Sequence, residues 1–310
     1  MKKENLLLLL PFVLAGLQSC TMGAVDYRTD EGKVIIRPDW SGYDLPAGTK
    51  FYFYNTDGKS APIEAGGTAE KYEGMLPSGT YKMVAYNTDA TQVEFQAMEK
   101  YETASVHAMP NTRRSATRDG DVRCILQPSQ LYSLSLGDIK VEYLSTTERE
   151  VKPLPLTKTI RLEFKLTGDG VADAKKISGE ICGVYPTLLL ATGQPTPESI
   201  SNCPNTTTAF DINVASNQGT AEIKVFGLHD PEGGNNYENR LKLAVTDKDN
   251  KVRNAEIDLS DVISDVIDKN GGTIPVEIPI EIQVEVSLKD VNGMNVTAKP
   301  WEEDTGSGEI

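Results

Sequence analysis

Histidine occurs only twice in 310 residues, at His107 and His229. Neither has a metal-ligating neighbour at helical or strand spacing, so a two-histidine zinc site would need both. They read as surface or loop histidines rather than catalytic bases. The chain also lacks a glycine-rich phosphate loop after a strand, a nucleophile elbow and a zinc-binding helix motif. No metal, cofactor or catalytic constellation is therefore expected, and the protein reads as a non-enzyme. Positive charge is scarce as well: 31 Lys and Arg stand against 45 Asp and Glu, a formal net charge of −14. A surface that acidic repels phosphate backbones, which argues against nucleic acid as a partner. It equally argues against a basic patch on anionic lipid.

Long hydrophobic runs are missing too, with one exception near the start. "LLLLLPFVLAGLQSC" covers residues 6–20. It is too short for a membrane-spanning helix, which needs about 20 apolar residues, and Pro11 breaks it. Lys2 and Lys3 make a positive start, Leu6 to Leu14 an apolar core, and Leu17, Ser19 and Cys20 an apolar, a small and a modifiable residue. That order is a bacterial lipoprotein signal. Residues 1–19 are expected to be removed and Cys20 to become the acylated first residue, carrying palmitate-type chains. Removing Lys2, Lys3 and Glu4, a net +1, leaves the mature part at −15. Its 291 residues suffice for about two domains.

After a tether over 20–32 the pattern takes the period of strands. "KVIIRPDW", "TKFYFYN" and "GTYKMVAYN" are rich in aromatic and β-branched residues and bounded by turn formers. Short apolar segments follow at Cys124–Leu126, Leu131–Leu136 and Ile139–Leu144. These strands make a first sandwich over 33–148. Within it, 109–123 carries Arg113, Arg114, Arg118 and Arg123 in an otherwise acidic chain and reads as a long exposed loop open to trypsin-like proteases. Residues 149–158, with Pro153 and Pro155, read as a stiff linker.

The second sandwich, 159–303, alternates more cleanly. In "TIRLEFKL" Ile160, Leu162, Phe164 and Leu166 share one face. "RLKLAV" repeats the pattern, and so does "PVEIPIEIQVEVSL" from Pro275 to Leu288. Pro279 within that last run places the strand at a sheet edge or bends it, since proline cannot complete an interior ladder. One helix interrupts the strands: Leu259, Val262, Ile263, Val266 and Ile267 recur at helical spacing, with Asp258 or Ser260 as cap and Gly271 after the end. Residues 304–310 read as a flexible tail. The sum is an all-β chain of two tandem antiparallel sandwiches with one short helix in the second.

Cys182 and Cys203 are spaced to close a loop of roughly 20 residues, and a disulfide there would contribute about 3 kcal/mol in an exported compartment. Bridged and free states are both open at this point. Cys124 is the odd thiol, in an apolar strand. Trp40 and Trp301 read as packing residues, with sugar stacking as the functional alternative. "HDPEGGNNYEN" reads as a turn-rich loop rather than a calcium loop.

The order lipobox, "VIIRPDW", "LPAGTKFYFYNTDG", "LPSGTYKMVAYNTD" resembles the N-terminal domain of Bacteroidales-type fimbrial anchor and fimbrillin-related lipoproteins. "ISGEICGVYPTLLLATG" and "AEIDLSDVISDVI" resemble their second domain. The resemblance implies two transthyretin-like sandwiches on an outer-membrane lipid anchor at Cys20, facing either the periplasm or the exterior. It also implies fimbrial subunits as partners and a role in anchoring or assembling fimbriae or in cell adhesion. A glycan-binding surface lipoprotein of a nutrient-uptake system, with carbohydrate as its ligand, is the alternative.

Overall fold

The computed structural model describes residues 30–112, 122–168, 171–215, 217–229, 239–269, 279–288 and 294–300. In its first part the strands are β1 (Glu31–Pro38), β2 (Thr49–Asn55), β3 (Ile63–Gly67), β4 (Tyr72–Pro77), β5 (Gly79–Asn87), β6 (Val93–Gln96), β7 (Ser105–Ala108), β8 (Arg123–Ile125), β9 (Tyr132–Val141), β10 (Thr146–Val151) and β11 (Leu154–Pro155). The later strands are β12 (Lys158–Thr167), β13 (Ala174–Cys182), β14 (Thr187–Leu189), β15 (Thr206–Asn213), β16 (Gln218–Val225), β17 (Arg240–Asp247), β18 (Val252–Asp258), β19 (Ile280–Leu288) and β20 (Met294–Pro300). Two helices join them, α1 (Pro197–Asn202) and α2 (Ser260–Lys269).

The first sandwich packs a three-stranded sheet, β10-β1-β4, on a five-stranded one, β11-β9-β5-β2-β3. Val34 and Ile36 of β1 meet Phe51, Phe53, Tyr81, Met83, Leu134 and Ile139 in one core. Alternation fails in "FYFY" for a physical reason: the sheet is buried on both faces. Phe51 and Phe53 point into the first core, while Tyr52, Tyr54, Val84 and Tyr86 belong to the second. A small sheet, β14-β7-β6, covers that outer face. Phe95 stacks on Tyr86 at 3.7 Å between ring centroids, and Tyr101 meets Tyr54 edge-on at 5.9 Å.

The second sandwich packs β16-β12-β19-β20 on β18-β17-β13-β15-β8. Ile160, Leu162, Phe164 and Leu166 face Ile177, Ile181, Leu241, Leu243 and Val245 across its core. Leu259, Val262 and Ile263 of the expected helix, α2, are buried there. Asp258 Oδ1 accepts from the Ser260 N–H at 2.9 Å just before it.

Four expectations are corrected. The 149–158 stretch is not a free linker: β10 runs parallel to β1 from Lys33↔Thr146 to Pro38↔Val151, and Leu154–Pro155 pairs with β9. The halves also share strands, since β8 lies parallel to β15 and β7 pairs with β14. The alternating strand is not at an edge: β19 lies between β12 and β20, and Pro279 precedes its first residue, so every β19 ladder position keeps its N–H. Finally, a second helix, α1, exists. Thr196 caps it by accepting from the Ser199 N–H at 3.1 Å, with Pro197 in the first turn.

Gln127 fastens the halves across one seam. Its Nε2 donates to the Ala209 carbonyl at 2.8 Å and its Oε1 accepts from the Lys224 N–H at 3.1 Å, which ties β15 to β16. Gln127→Ala should strand both main-chain groups and lower unfolding stability by about 1–2 kcal/mol, since water reaches this half-buried site in part. Urea unfolding with an unchanged midpoint would refute the clamp.

Candidate functional site

Edges and clefts are the natural places on this fold for a partner. The second sandwich closes its seams: Gln127 bridges β15 and β16, and β18 packs against β20. The three-stranded sheet of the first sandwich ends on β4 and β10, each six residues long and each without a further ladder partner among the described residues, although β10 packs against β9, where Thr147 Oγ1 donates to the Lys140 carbonyl at 2.7 Å. Charge guards both. Lys33 and Lys71 converge on Glu73 of β4 at 2.6 and 2.8 Å and hold its carboxyl down to about 2. On β10, Glu148 pairs with Arg37 of β1. Such exposed pairs contribute little stability, and their plainer effect is to blunt indiscriminate strand pairing.

A cleft of about 860 Å³ lies at the junction of the two sandwiches. Tyr43, Asp44, Gln130 and Tyr132 line it from the first, Thr159 and Lys224 from the second. Trp40 stands behind it. Its Nε1 donates to the Ala69 carbonyl at 2.7 Å and its ring meets Tyr132 edge-on at 5.4 Å, so the indole is buried packing and not a sugar platform. Among the described residues, only Tyr43 offers a partly exposed ring to the cleft.

Cys20, Arg113, Arg114, Arg118 and Trp301 lie outside the described residues, as do 230–238. Arg123 is exposed at the start of β8. Cys182 and Cys203 are free, buried thiols, which corrects the bridged reading. Cys182 ends β13, whereas Cys203 sits in a 3₁₀ turn; burial pushes its thiol up to about 12, against the opposing pull of the His229 backbone. Cys124 is buried and in no disulfide as well. His229 is buried rather than superficial, with its N–H on the Gly183 carbonyl and its own carbonyl accepting from Asn239. His107 is half-buried on β7 beside Thr187, 2.9 Å from Nδ1 to Oγ1. Burial lowers its pKa, against the opposing pull of Glu198 and Glu94. The β4 and β10 edges leave no local signal, because the partner of both strands, β1, is distant in the chain.

A family model described as "Domain of unknown function (DUF5119)" matches residues 24–203, more than half of the chain. The chain belongs to that family. This DUF5119 chain is 24% identical over 257 residues to a Bacteroides ovatus protein provisionally named fimbrium anchoring subunit Fim4B, an alignment covering 77% of this chain and 73% of that one. Among solved structures, a Bacteroides ovatus protein provisionally described as an adhesin superposes with a TM-score of 0.62 at 21% identity, over 89% of this chain and 95% of that one. A Bacteroides thetaiotaomicron protein provisionally described as polysaccharide-binding gives 0.53 at 10% identity, over 88% and 99%. At these identities the two structures speak for the fold alone.

Proposed function

We propose that this DUF5119 protein is a non-enzymatic, lipid-anchored envelope protein that anchors or assembles fimbriae at the cell surface. The observation that carries the reading is the pair of open edges, β4 and β10, on the sandwich into which the chain from Cys20 leads. An edge strand binds a partner's strand through main-chain hydrogen bonds, which gives affinity without a conspicuous side-chain motif. The likeness to a relative named as a fimbrium anchoring subunit supports it. The acyl group on Cys20 would fix the molecule to the outer membrane, and fimbrial subunits would be its partners. The bridge between Cys182 and Cys203 is not part of this reading.

The test is crosslinking and pull-down from intact cells, with electron microscopy of a deletion strain. Recovered fimbrial subunits, and filaments shed or misassembled in the deletion, are the expected result. The second reading, a glycan-binding lipoprotein, draws on the junction cleft with Tyr43, Asp44 and Gln130. Recovery of an uptake porin, or polysaccharide-array binding with filaments intact, would transfer the function to it.

A further inference from the structure

We infer that the end of the first sandwich beside the tether is a membrane-contacting tip, with Tyr143 and Leu144 entering the lipid interface; the inference rests on the acylation of Cys20 proposed above. The turn between β9 and β10 is closed by the Ser145 N–H on the Glu142 carbonyl at 3.1 Å. Leu144 within it has φ +55°, a backbone region that suits glycine or asparagine and not a branched apolar residue. It is also 77% exposed, and Tyr143 is 47% exposed. The fold thus meets a backbone cost and a solvation cost here with no packing in return. Such an outlier points to a demand from outside the fold.

The position says where that demand comes from. The Leu144 N–H donates to the Glu31 carbonyl at 3.0 Å, and the Lys33 N–H to the Ser145 carbonyl at 2.8 Å, which stitches the turn to the first residues of β1. On the other flank the Ser78 N–H donates to the Asp30 carbonyl at 2.5 Å, which brings exposed Pro77 and Met75 beside the same spot. Four exposed apolar residues therefore surround the point where the chain enters the fold. The opposite end of β1, where the Asp39 N–H meets the Val151 carbonyl, is followed by Ser41 to Asp44, which line the cleft at the junction with the second sandwich. From Cys20 to Asp30 there are ten residue steps, which reach at most about 35 Å.

An acylated Cys20 keeps this end close to the bilayer at high local concentration, where even a weak contact is populated. A tyrosine with an apolar body and a polar hydroxyl suits the headgroup level, and a leucine beside it suits the acyl boundary. Lys140 pairs with Glu142 at 2.6 Å and Lys33 with Glu73 at 2.6 Å, while Asp30 and Glu31 add negative charge, so an uncharged lipid surface suits this end and an anionic one does not.

The test couples the mature chain through Cys20 to a single myristoyl-maleimide, Cys124, Cys182 and Cys203 being buried. One such chain alone gives only marginal, reversible binding, so the tip should raise partition onto phosphatidylcholine vesicles by about fivefold or more. Tyr143→Ser with Leu144→Gly should lose that gain while melting no lower than the parent, because glycine suits the turn. Val252→Ser, at a 51% exposed position on β18, should change nothing. Leu144→Trp should be quenched by brominated phosphatidylcholine. Equal partition of parent and double variant, absence of quenching, or a crosslinked dimer through position 144 would overturn the tip. Since the coupling is chemical, an unacylated Cys20 in cells would count against the anchor alone.

Discussion

Cys20→Ala should abolish palmitate-analogue labelling of the chain and move it from the membrane pellet to the soluble fraction. The effect should be close to all-or-none. Lys2 and Lys3, the apolar core of Leu6–Leu14, and Leu17 with Ser19 before Cys20 form the order that export and acylation enzymes read. Each buried methylene of an acyl chain contributes about 0.8 kcal/mol of membrane affinity, so losing two or more chains shifts partition by many orders of magnitude. Among the described residues no helix is long and apolar enough to cross a membrane, the net charge of −14 offers no hold on anionic lipid, and a tip of Tyr143 and Leu144 alone would bind only weakly. Equal label on the wild type and the variant would sink the assignment of Cys20.

Val284→Pro should unfold the second sandwich. Val284 pairs with Phe164 of β12 on one side and Ala298 of β20 on the other, and its side chain is 1% exposed. Proline there deletes a ladder bond, sets its ring against the neighbouring strand and removes packed methyl groups, a cost of about 3 kcal/mol or more before the packing loss. For a domain with total stability of roughly 5–15 kcal/mol, that should appear as a large fall in melting temperature or as insoluble protein. Circular dichroism against Val284→Ala separates the backbone effect from the cavity. A melting temperature within about 2 °C of the parent would place β19 at an edge after all.

Much of the fold was legible where one residue type decides locally. The bounds of β2 and β5 coincide with "TKFYFYN" and "GTYKMVAYN" because the aromatic runs begin after turn formers and end at asparagine. Helix α2 was equally plain from Leu259, Val262 and Ile263. Helix α1 carried a usable signal in Thr196-Pro197-Glu198, but six residues are too few to show a period. What stayed hidden depends on distant partners. The strand character of Thr146–Val151 comes from lying parallel to β1, more than a hundred residues upstream, and no local pattern encodes that. Pro279 misled because the alternation runs through it, whereas the ladder starts one residue later. Of the candidate site, the proposed acylation of Cys20 rests on a linear signal alone; the edges β4 and β10 and the Tyr143–Leu144 turn exist only in three dimensions.

The placement of β1 has a mechanical consequence. It is the middle strand of its sheet, held by six residue pairs to β10 and six to β4, and whatever pulls on the molecule from the tether pulls on Glu31, at its very beginning. Tension along that line does not peel the pairs apart one after another. It loads both ladders at once in shear, so rupture requires many hydrogen bonds to fail together, and the lifetime under load follows the unfolding rate rather than equilibrium stability. If the chain holds filaments as proposed, flow on them would load the molecule through this doubly paired strand.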